Sequence, residues 1–174
     1  CAMRILGIYI HIPFCVKKCL YCDFLSFPAR EEEKKEYVQA LLAEIRREAV
    51  FYTDYIVDSV FFGGGTPTVL PEGAVEGILD CLRQSFCFAG DREAEEEAEI
   101  TVEINPATAD RKKLESLRRA GVNRISIGTQ SVHDRELAYL GRVHKAEDFF
   151  HIYEDAVASG FTNINVDLMA ALPG

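Results

Sequence analysis

Short apolar runs alternate with longer amphipathic stretches along the whole chain. The apolar runs predict buried strands, which cover residues 5–10, 56–62, 100–104, 124–128 and 163–167. Between them, apolar residues recur at helical spacing with charged residues on the opposite face, and this predicts amphipathic helices. The helices are expected over residues 31–52 and 71–86, around Leu114 and Leu117, and over 133–140 and 145–159.

The order of these elements predicts a parallel sheet, because strands alternate regularly with helices and look apolar on both faces. Short, right-handed connections leave two architectures, a doubly wound sheet or a barrel. Pro71 suits the first position of a helix, and Gly121 and Gly160 suit helix C-termini. No helix follows the last strand before Gly174, and Cys1 stands where Met is usual. The sequence is therefore expected to be part of a longer protein.

Composition and charge exclude several classes of protein. The chain has 174 residues, of which 48% are hydrophobic, so it is not a disordered tail. No stretch approaches the ~18 uncharged apolar residues of a membrane span. The net charge of −9 disfavours nonspecific nucleic-acid binding, which needs many cations. Residues 91–99 predict a solvated, charged connector. The N-terminus lacks a signal peptide, so a cytoplasmic location is expected.

Three of the six cysteines lie within eight residues, in the spacing C-x3-C-x2-C formed by Cys15, Cys19 and Cys22. Three close thiolates can hold three irons of a 4Fe–4S cluster, which ordinarily takes four cysteines, so one iron would stay open. A zinc site is the alternative, and His11 could complete a Cys3His set. Cys81 and Cys87 are expected to be core thiols.

Polar and small residues follow successive strands of the predicted sheet. The run Gly63-Gly64-Gly65-Thr66-Pro67 ends the second strand, and glycine lets a small ligand approach the backbone. Glu103, Gln130 and Asp167 lie at or just after the ends of three later strands. Carboxyl ends of parallel strands build ligand sites in both candidate architectures. The alternatives are a tight turn for the glycine run and loop N–H bonds for Asp167.

These motifs together resemble a known family. The quoted segments are Tyr9-Ile-His11-Ile-Pro-Phe-Cys15-x3-Cys19-x-Tyr21-Cys22-Asp23-Phe24, Gly63-Gly-Gly-Thr-Pro67, Glu103-Ile-Asn-Pro106, Gly121-Val-Asn-Arg124-Ile-Ser126-Ile-Gly128-x-Gln130-Ser131, Leu140-Gly-Arg142-x-His144 and Asn165-Val-Asp167-Leu. In this order they resemble the radical SAM superfamily. Within it they are similar to the oxygen-independent coproporphyrinogen III oxidase-like group, and most of all to its heme chaperone branch. The resemblance covers residues 5–174.

The resemblance implies an α/β fold, an incomplete parallel (β/α) barrel of the radical SAM type with five strands present. It implies that residues 1–174 are the N-terminal part of the core domain, without the remaining barrel and C-terminal domain. The implied cluster ligands are Cys15, Cys19 and Cys22. The implied S-adenosylmethionine contacts are Tyr9 and Tyr21 at the adenine, Gly64, Gly65 and Thr66 at the methionyl end, and Glu103, Gln130, Arg142 and Asp167 at the methionyl carboxylate, amine or ribose hydroxyls.

The function implied by the resemblance is cluster and S-adenosylmethionine binding by a heme chaperone that assists heme delivery. The enzyme alternative is an oxygen-independent coproporphyrinogen III oxidase, and the alternative outside the family is a zinc- or cluster-bearing structural module. Implied partners are heme or a porphyrin, a reducing electron donor and a heme-accepting protein. Lys17 and Lys18 are expected to face solvent, where they could receive an acidic donor.

Two positions separate this sequence from related patterns. Phe24 stands two residues after the third cysteine, where the oxidase branch commonly has another cysteine. After Met169 the family usually has an aromatic residue and glycine, but this chain has Ala170 and Ala171. Of the histidines, His11 could contact heme or be a structural residue with both ring nitrogens bonded. The other three are expected at the surface without a role, namely His133, His144 and His151.

Overall fold

The structure, a computed structural model, describes residues 4–90 and 97–172. The predictions made for Cys1, for residues 91–96 of the charged connector and for the terminal Pro173-Gly174 lie outside the described residues. The strands are β1 (Arg4–Ile12), β2 (Tyr55–Gly64), β3 (Cys87–Phe88), β4 (Glu99–Ile104), β5 (Arg124–Gln130) and β6 (Asn163–Leu168). The helices are α1 (Glu31–Ala49), α2 (Ala74–Ser85), α3 (Arg111–Arg119), α4 (Asp134–Tyr139) and α5 (Ala146–Ala158).

All pairings in the sheet are parallel, and the strand order is β1-β2-β4-β5-β6, with β3 added beside β2. Each of the five predicted strands is present. The sequence pattern extends the preceding helix to Phe86, whereas α2 ends one residue earlier, and the pattern does not predict the two-residue strand β3. Helix α2 also begins at Ala74, after a turn that contains Pro71, rather than at the proline itself.

One face of the sheet packs against the helices and forms the core. Strand residues such as Ile12, Phe62 and Ile127 share a buried cluster with Ile78 of α2 and Leu114 of α3. Because strand side chains alternate between faces, the intervening residues point to the opposite side. There the register aligns Glu103 with Ser126 and Ser126 with Asn165, so this face carries polar side chains. Helices on one face only are the arrangement of a barrel rather than of a doubly wound sheet.

Glycines end two of the helices as the sequence predicted. Gly121 follows α3 with φ of 96°, and Gly160 follows α5 with φ of 88°. The next residue donates its N–H back into the helix in both cases, from Val122 to the Leu117 carbonyl and from Phe161 to the Ala156 carbonyl. These bonds satisfy carbonyls that the helix end leaves free. Among the described residues, no helix combines the length and apolar character needed to cross a membrane.

Ala171 adopts a left-handed backbone with φ of 57°, at the position where the resembled family has glycine. An L-residue in this region costs about 1–2 kcal/mol, whereas glycine enters it freely but loses about 0.5–1 kcal/mol more entropy on folding. Ala171→Gly is therefore expected to raise the free energy of unfolding by about 0.5–1 kcal/mol. Urea denaturation at constant m-value measures this difference. A lower unfolding midpoint for the glycine variant would contradict the assignment of strain to this residue.

Candidate functional site

A cleft of about 430 Å³ opens at the carboxyl ends of the strands, between the sheet and the loop that follows β1. We call residues 13–30, which join β1 to α1, the cysteine loop. All of the predicted site residues except Tyr9 line the cleft, namely Cys15, Cys19, Tyr21, Cys22, Gly64, Gly65, Thr66, Glu103, Gln130, Arg142 and Asp167. Residues far apart in the sequence are thus brought to one place by the parallel sheet.

The cysteine loop is closed at its neck by backbone hydrogen bonds. Phe27 donates its N–H to the Pro13 carbonyl at 2.9 Å, and Cys15 donates to the Phe27 carbonyl at 3.1 Å. The rings of Phe14 and Phe27 meet edge to face beneath this neck. Lys18 braces the loop from within, because its Nζ donates to the Phe24 carbonyl at 3.0 Å. Lys17 and Lys18 are both exposed, as the sequence predicted, and Lys17 borders the cleft.

Each cysteine sulfur has a polar neighbour from a different part of the chain. Cys15 Sγ lies 3.6 Å from Thr66 Oγ1, and Cys22 Sγ lies 4.0 Å from Ser26 Oγ. Cys19 Sγ accepts a hydrogen bond from Arg142 Nη1 at 3.7 Å. Hydrogen bonds to ligand sulfurs raise the reduction potential of an iron–sulfur cluster because they stabilise added negative charge.

The donor set suits a cluster better than zinc. In the described part of the chain, no group of three or more His, Cys, Asp or Glu side chains converges on one point. A 4Fe–4S cluster needs no such point, because each cysteine binds a different iron. His11, the proposed fourth zinc ligand, has both ring nitrogens engaged: Nε2 with the Leu25 carbonyl at 3.0 Å and Nδ1 with the Tyr9 hydroxyl at 3.3 Å. His11 therefore has both ring nitrogens bonded, which is the structural role that the sequence analysis gave as one of its alternatives.

Tyr9 does not line the cleft. Its ring stacks on Phe61 with centroids 6.1 Å apart, and its hydroxyl lies 3.3 Å from His11 Nδ1. Burial raises the pKa of Tyr9, and the nearby Glu103 carboxylate adds to the rise. Tyr9 thus contacts the cysteine loop only through the His11 ring, which bonds to Leu25.

The glycine run joins the end of β2 to the start of the cysteine loop. Gly65 donates its N–H to the Ile12 carbonyl and Thr66 donates to the Phe14 carbonyl, both at 2.7 Å. Gly64 has φ of 107°, and a side chain there would meet the His11 ring at 2.5 Å. Glycine is required at position 64, because the backbone there is left-handed and the His11 ring leaves no room for a β-carbon.

Two carboxylates face the cleft from β4 and β6. Glu103 Oε2 accepts the Gly64 N–H at 3.3 Å. Burial raises the pKa of Glu103, and the negative charge of Asp167 raises it further. Asp167 accepts hydrogen bonds from Ser126 Oγ at 3.2 Å and from Asn165 Nδ2 at 2.7 Å, rather than from loop N–H groups. Ser126 and Asn165 were not predicted as site residues, although both belong to the polar, inward-facing positions of their strands.

Gln130 and Arg142 complete the cleft beyond β5. Gln130 has φ of 67°, which is rare for a residue other than glycine, and strained backbones of this kind cluster at functional sites. Arg142 follows Gly141, whose φ of 71° ends helix α4 and turns the chain back toward the cysteine loop. Arg142 Nη1 also approaches the Tyr21 hydroxyl at 3.4 Å, and Nη2 donates to the Gly128 carbonyl.

His144 is buried, so its predicted surface position is wrong; only 2% of its surface is exposed. Its Nδ1 lies 3.4 Å from Arg142 Nε, and its Nε2 lies 3.1 Å from the Thr129 carbonyl oxygen. Burial lowers the pKa of His144 to about 4, and the positive charge of Arg142 acts in the same direction. No periodic pattern in the sequence predicts this burial, because the burial depends on contact with β5. His151 lies at the surface as expected.

A sequence model of the radical SAM superfamily matches residues 9–174. The chain belongs to the radical SAM superfamily, and its α/β fold is the parallel, open barrel of that superfamily. Among curated proteins, it is 40% identical over 169 residues to the heme chaperone HemW of Escherichia coli, with 97% of this chain and 43% of that protein covered. It is 35% identical to the oxygen-independent coproporphyrinogen III oxidase of Salmonella typhimurium, with 98% and 36% covered.

Among solved structures, the fold is similar to coproporphyrinogen III oxidase (HemN) from Escherichia coli, described as a radical SAM enzyme. The TM-score is 0.87 at 32% identity, and the match covers 98% of this chain and 38% of that one. The chain therefore spans about two fifths of the length of these relatives. The family implies a 4Fe–4S cluster and S-adenosylmethionine as cofactors.

Proposed function

We propose that the chain binds a 4Fe–4S cluster and S-adenosylmethionine and acts as a heme chaperone of the HemW type. The observation that carries this proposal is one cleft that holds three cysteines and, among the described residues, no fourth, together with carboxylates, an arginine and glycines at the strand ends. The proposed compartment is the cytoplasm, where thiols stay reduced. The proposed partners are heme or a porphyrin, a reducing electron donor and a heme-accepting protein.

Each group of the cleft has chemistry that fits one part of the proposed ligands. Cys15, Cys19 and Cys22 would hold three irons and leave the fourth open. Glu103 and Asp167 accept hydrogen bonds, which suits an ammonium group and ribose hydroxyls. The remaining proposed contacts are Arg142 and Gln130 for a carboxylate, the backbone of Gly64, Gly65 and Thr66 for the methionyl end, and the ring of Tyr21 for adenine. Tyr9 lies outside this pocket and would act on it through its neighbours His11 and Glu103.

When bound, a reduced cluster supplies single electrons to the sulfonium of S-adenosylmethionine. The chain's own contribution is to hold this ligand in one orientation and to keep the sulfurs hydrogen-bonded. Lys17 is exposed beside the cleft and gives the cysteine loop a positive charge, which suits a donor with an acidic surface.

Two observations favour a heme chaperone over an oxidase: the residue Phe24 and the sequence identities to the relatives. Phe24 borders the cleft where the oxidase branch commonly has a cysteine, and its ring is largely exposed. Several HemW proteins match this chain at 35% to 40% identity. Coproporphyrinogen oxidases match at 35%.

Glu103→Gln tests the cofactor proposal directly. The variant keeps the shape of the side chain but removes its negative charge, and a charge-assisted hydrogen bond is worth about 1.5–3 kcal/mol. We expect S-adenosylmethionine to perturb the electron paramagnetic resonance spectrum of the reduced cluster, with about tenfold weaker binding in Glu103→Gln and unchanged iron content. Glu72→Gln, at an exposed ion pair, is the matched control. An unchanged spectrum in the wild-type protein at saturating cofactor would contradict the proposal.

Anaerobic incubation with coproporphyrinogen III, reductant and S-adenosylmethionine separates the two branches. A heme chaperone is expected to bind heme stoichiometrically and to yield no protoporphyrinogen. Porphyrin analysis by chromatography measures the product, and a known oxidase in parallel shows that the assay works. Catalytic turnover would replace the chaperone proposal by the oxidase one and leave the cofactor proposal intact.

A further inference from the structure

Residues 140–144, which we call the bridge segment, connect the end of β5 with the cysteine loop. On the loop side, the Leu140 carbonyl accepts the Leu20 N–H at 3.0 Å, and Arg142 reaches Cys19 and Tyr21. On the sheet side, Arg142 donates to the Gly128 carbonyl and His144 contacts the Thr129 carbonyl. The bridge segment thus ties two walls of the cleft together.

The contacts of His144 assign its tautomer. The Thr129 carbonyl can only accept a hydrogen bond, so Nε2 of His144 carries the proton and donates at 3.1 Å. In the neutral ring Nδ1 is then an acceptor, and it faces the Nε–H of Arg142 at 3.4 Å. A protonated ring would instead turn an N–H toward a cation. The buried position of His144 maintains the neutral form.

Two nitrogens of the Arg142 guanidinium are engaged by hydrogen bonds, which leaves the third, Nη1, for the cleft. His144 accepts from Nε, and the Gly128 carbonyl accepts from Nη2. Because the guanidinium is planar, these two bonds fix its orientation. Nη1 then faces the sulfur of Cys19 and the hydroxyl of Tyr21. Without the bond to Nε, the long side chain regains rotamer freedom and spends less time in this orientation.

We propose that His144 is a positioning residue, which holds Arg142 for contact with Cys19 and with the carboxylate of S-adenosylmethionine. This inference rests on the proposed function, but it concerns a residue that touches neither the cluster nor the cofactor. A buried histidine with a purely structural role would stabilise the fold without changing the ligand affinity through Arg142.

The test is a double-mutant cycle in the anaerobically reconstituted protein, with His144→Gln, Arg142→Gln and the double variant. Glutamine can still donate to the Thr129 carbonyl, but it lacks an acceptor at the position of Nδ1. We expect His144→Gln to weaken S-adenosylmethionine binding about tenfold and to lower the cluster's midpoint potential, with iron content unchanged. In the Arg142→Gln background, His144→Gln is expected to add nothing.

Two further variants make the test specific. His144→Asn places a side-chain oxygen near the position of Nδ1 and is expected to restore most of the affinity. His151→Gln changes an exposed histidine and is expected to behave as wild type. In the protein without cofactors, the NMR signal of the Arg142 Nε–H is expected to exchange slowly with water in the wild type and quickly in His144→Gln.

The outcomes distinguish this inference from the proposed function. Additive effects in the cycle, or wild-type affinity in a folded His144→Gln variant, would overturn the positioning role and leave the proposed function untouched. A wild-type protein that binds neither cluster nor S-adenosylmethionine would overturn the proposed function, whereas the Nε–H exchange would still report whether His144 holds Arg142. If His144→Gln does not fold, His144→Asn with rapid Nε–H exchange would overturn the inference.

Discussion

Replacement of Cys15, Cys19 or Cys22 by alanine is expected to abolish the 4Fe–4S cluster. Only three cysteines face the cleft among the described residues, and each would hold a separate iron, so the loss of one leaves two ligands for the whole cluster. The side chains that contact the sulfurs cannot replace a lost ligand, because 4Fe–4S clusters are held by cysteine thiolates and none of these side chains is a cysteine. Iron and sulfide per chain after anaerobic reconstitution, together with the visible absorption of the cluster, measure the result.

Cys81→Ala and Cys87→Ala are the matched controls. Cys81 is buried, as expected, and its thiol donates to the Leu42 carbonyl of α1 at 3.8 Å, whereas the expectation of a core thiol is wrong for Cys87, which is exposed on β3. Neither lies on the cleft, so both variants are expected to keep the full iron content, even though Cys81→Ala loses some stability through the small cavity it leaves. Stoichiometric zinc without iron in protein purified anaerobically would contradict the cluster assignment.

The sheet and most of the helices were predictable because each has a strong local pattern. The main strands are apolar runs bounded by turns, and helices between them leave only a parallel arrangement. Strand β3 has two residues, too short for any periodic pattern, and forms because it pairs with Ile56 and Val57 of β2. The sequence also could not show that the inner face of the sheet is polar. Ser126 and Asn165 stand between apolar neighbours, and their role emerges only when register aligns them with Asp167.

The sequence could predict those site residues that lie at the ends of strands. Glu103, Gln130 and Asp167 lie at the carboxyl ends of three different strands, and they meet because parallel strands end at one edge. Tyr9 lies farther down its strand, so it contacts Phe61 and His11 rather than the cleft. The burial of His144 is a tertiary effect, which arises where the chain turns back after α4 and meets β5. The cysteine spacing predicted a 4Fe–4S or zinc site, and the resemblance favoured the cluster and supplied the role of Arg142, whereas the structure supplies the contacts between these residues.

Gly65→Ala is expected to damage both the fold and the cluster site. A β-carbon at this position would stand 2.5 Å from the Phe14 carbonyl oxygen and 2.9 Å from that of Ile12. Both atoms belong to the backbone that leads into Cys15, so they cannot move aside as a flexible side chain would. Overpacking of this kind costs about 1–3 kcal/mol and sometimes more, and we expect the upper end of that range.

The displaced backbone also carries the contacts that hold the cysteine loop. Gly65 donates to the Ile12 carbonyl and Thr66 to the Phe14 carbonyl, so a shift of either carbonyl moves Cys15 relative to Thr66. Iron content is therefore expected to fall together with the urea midpoint. Gly77→Ala is the matched control, because Gly77 lies in α2 with open space around it, and the change is expected to stabilise by about 1 kcal/mol. Full iron content and an unchanged midpoint in Gly65→Ala would show that the end of β2 is not coupled to the cysteine loop.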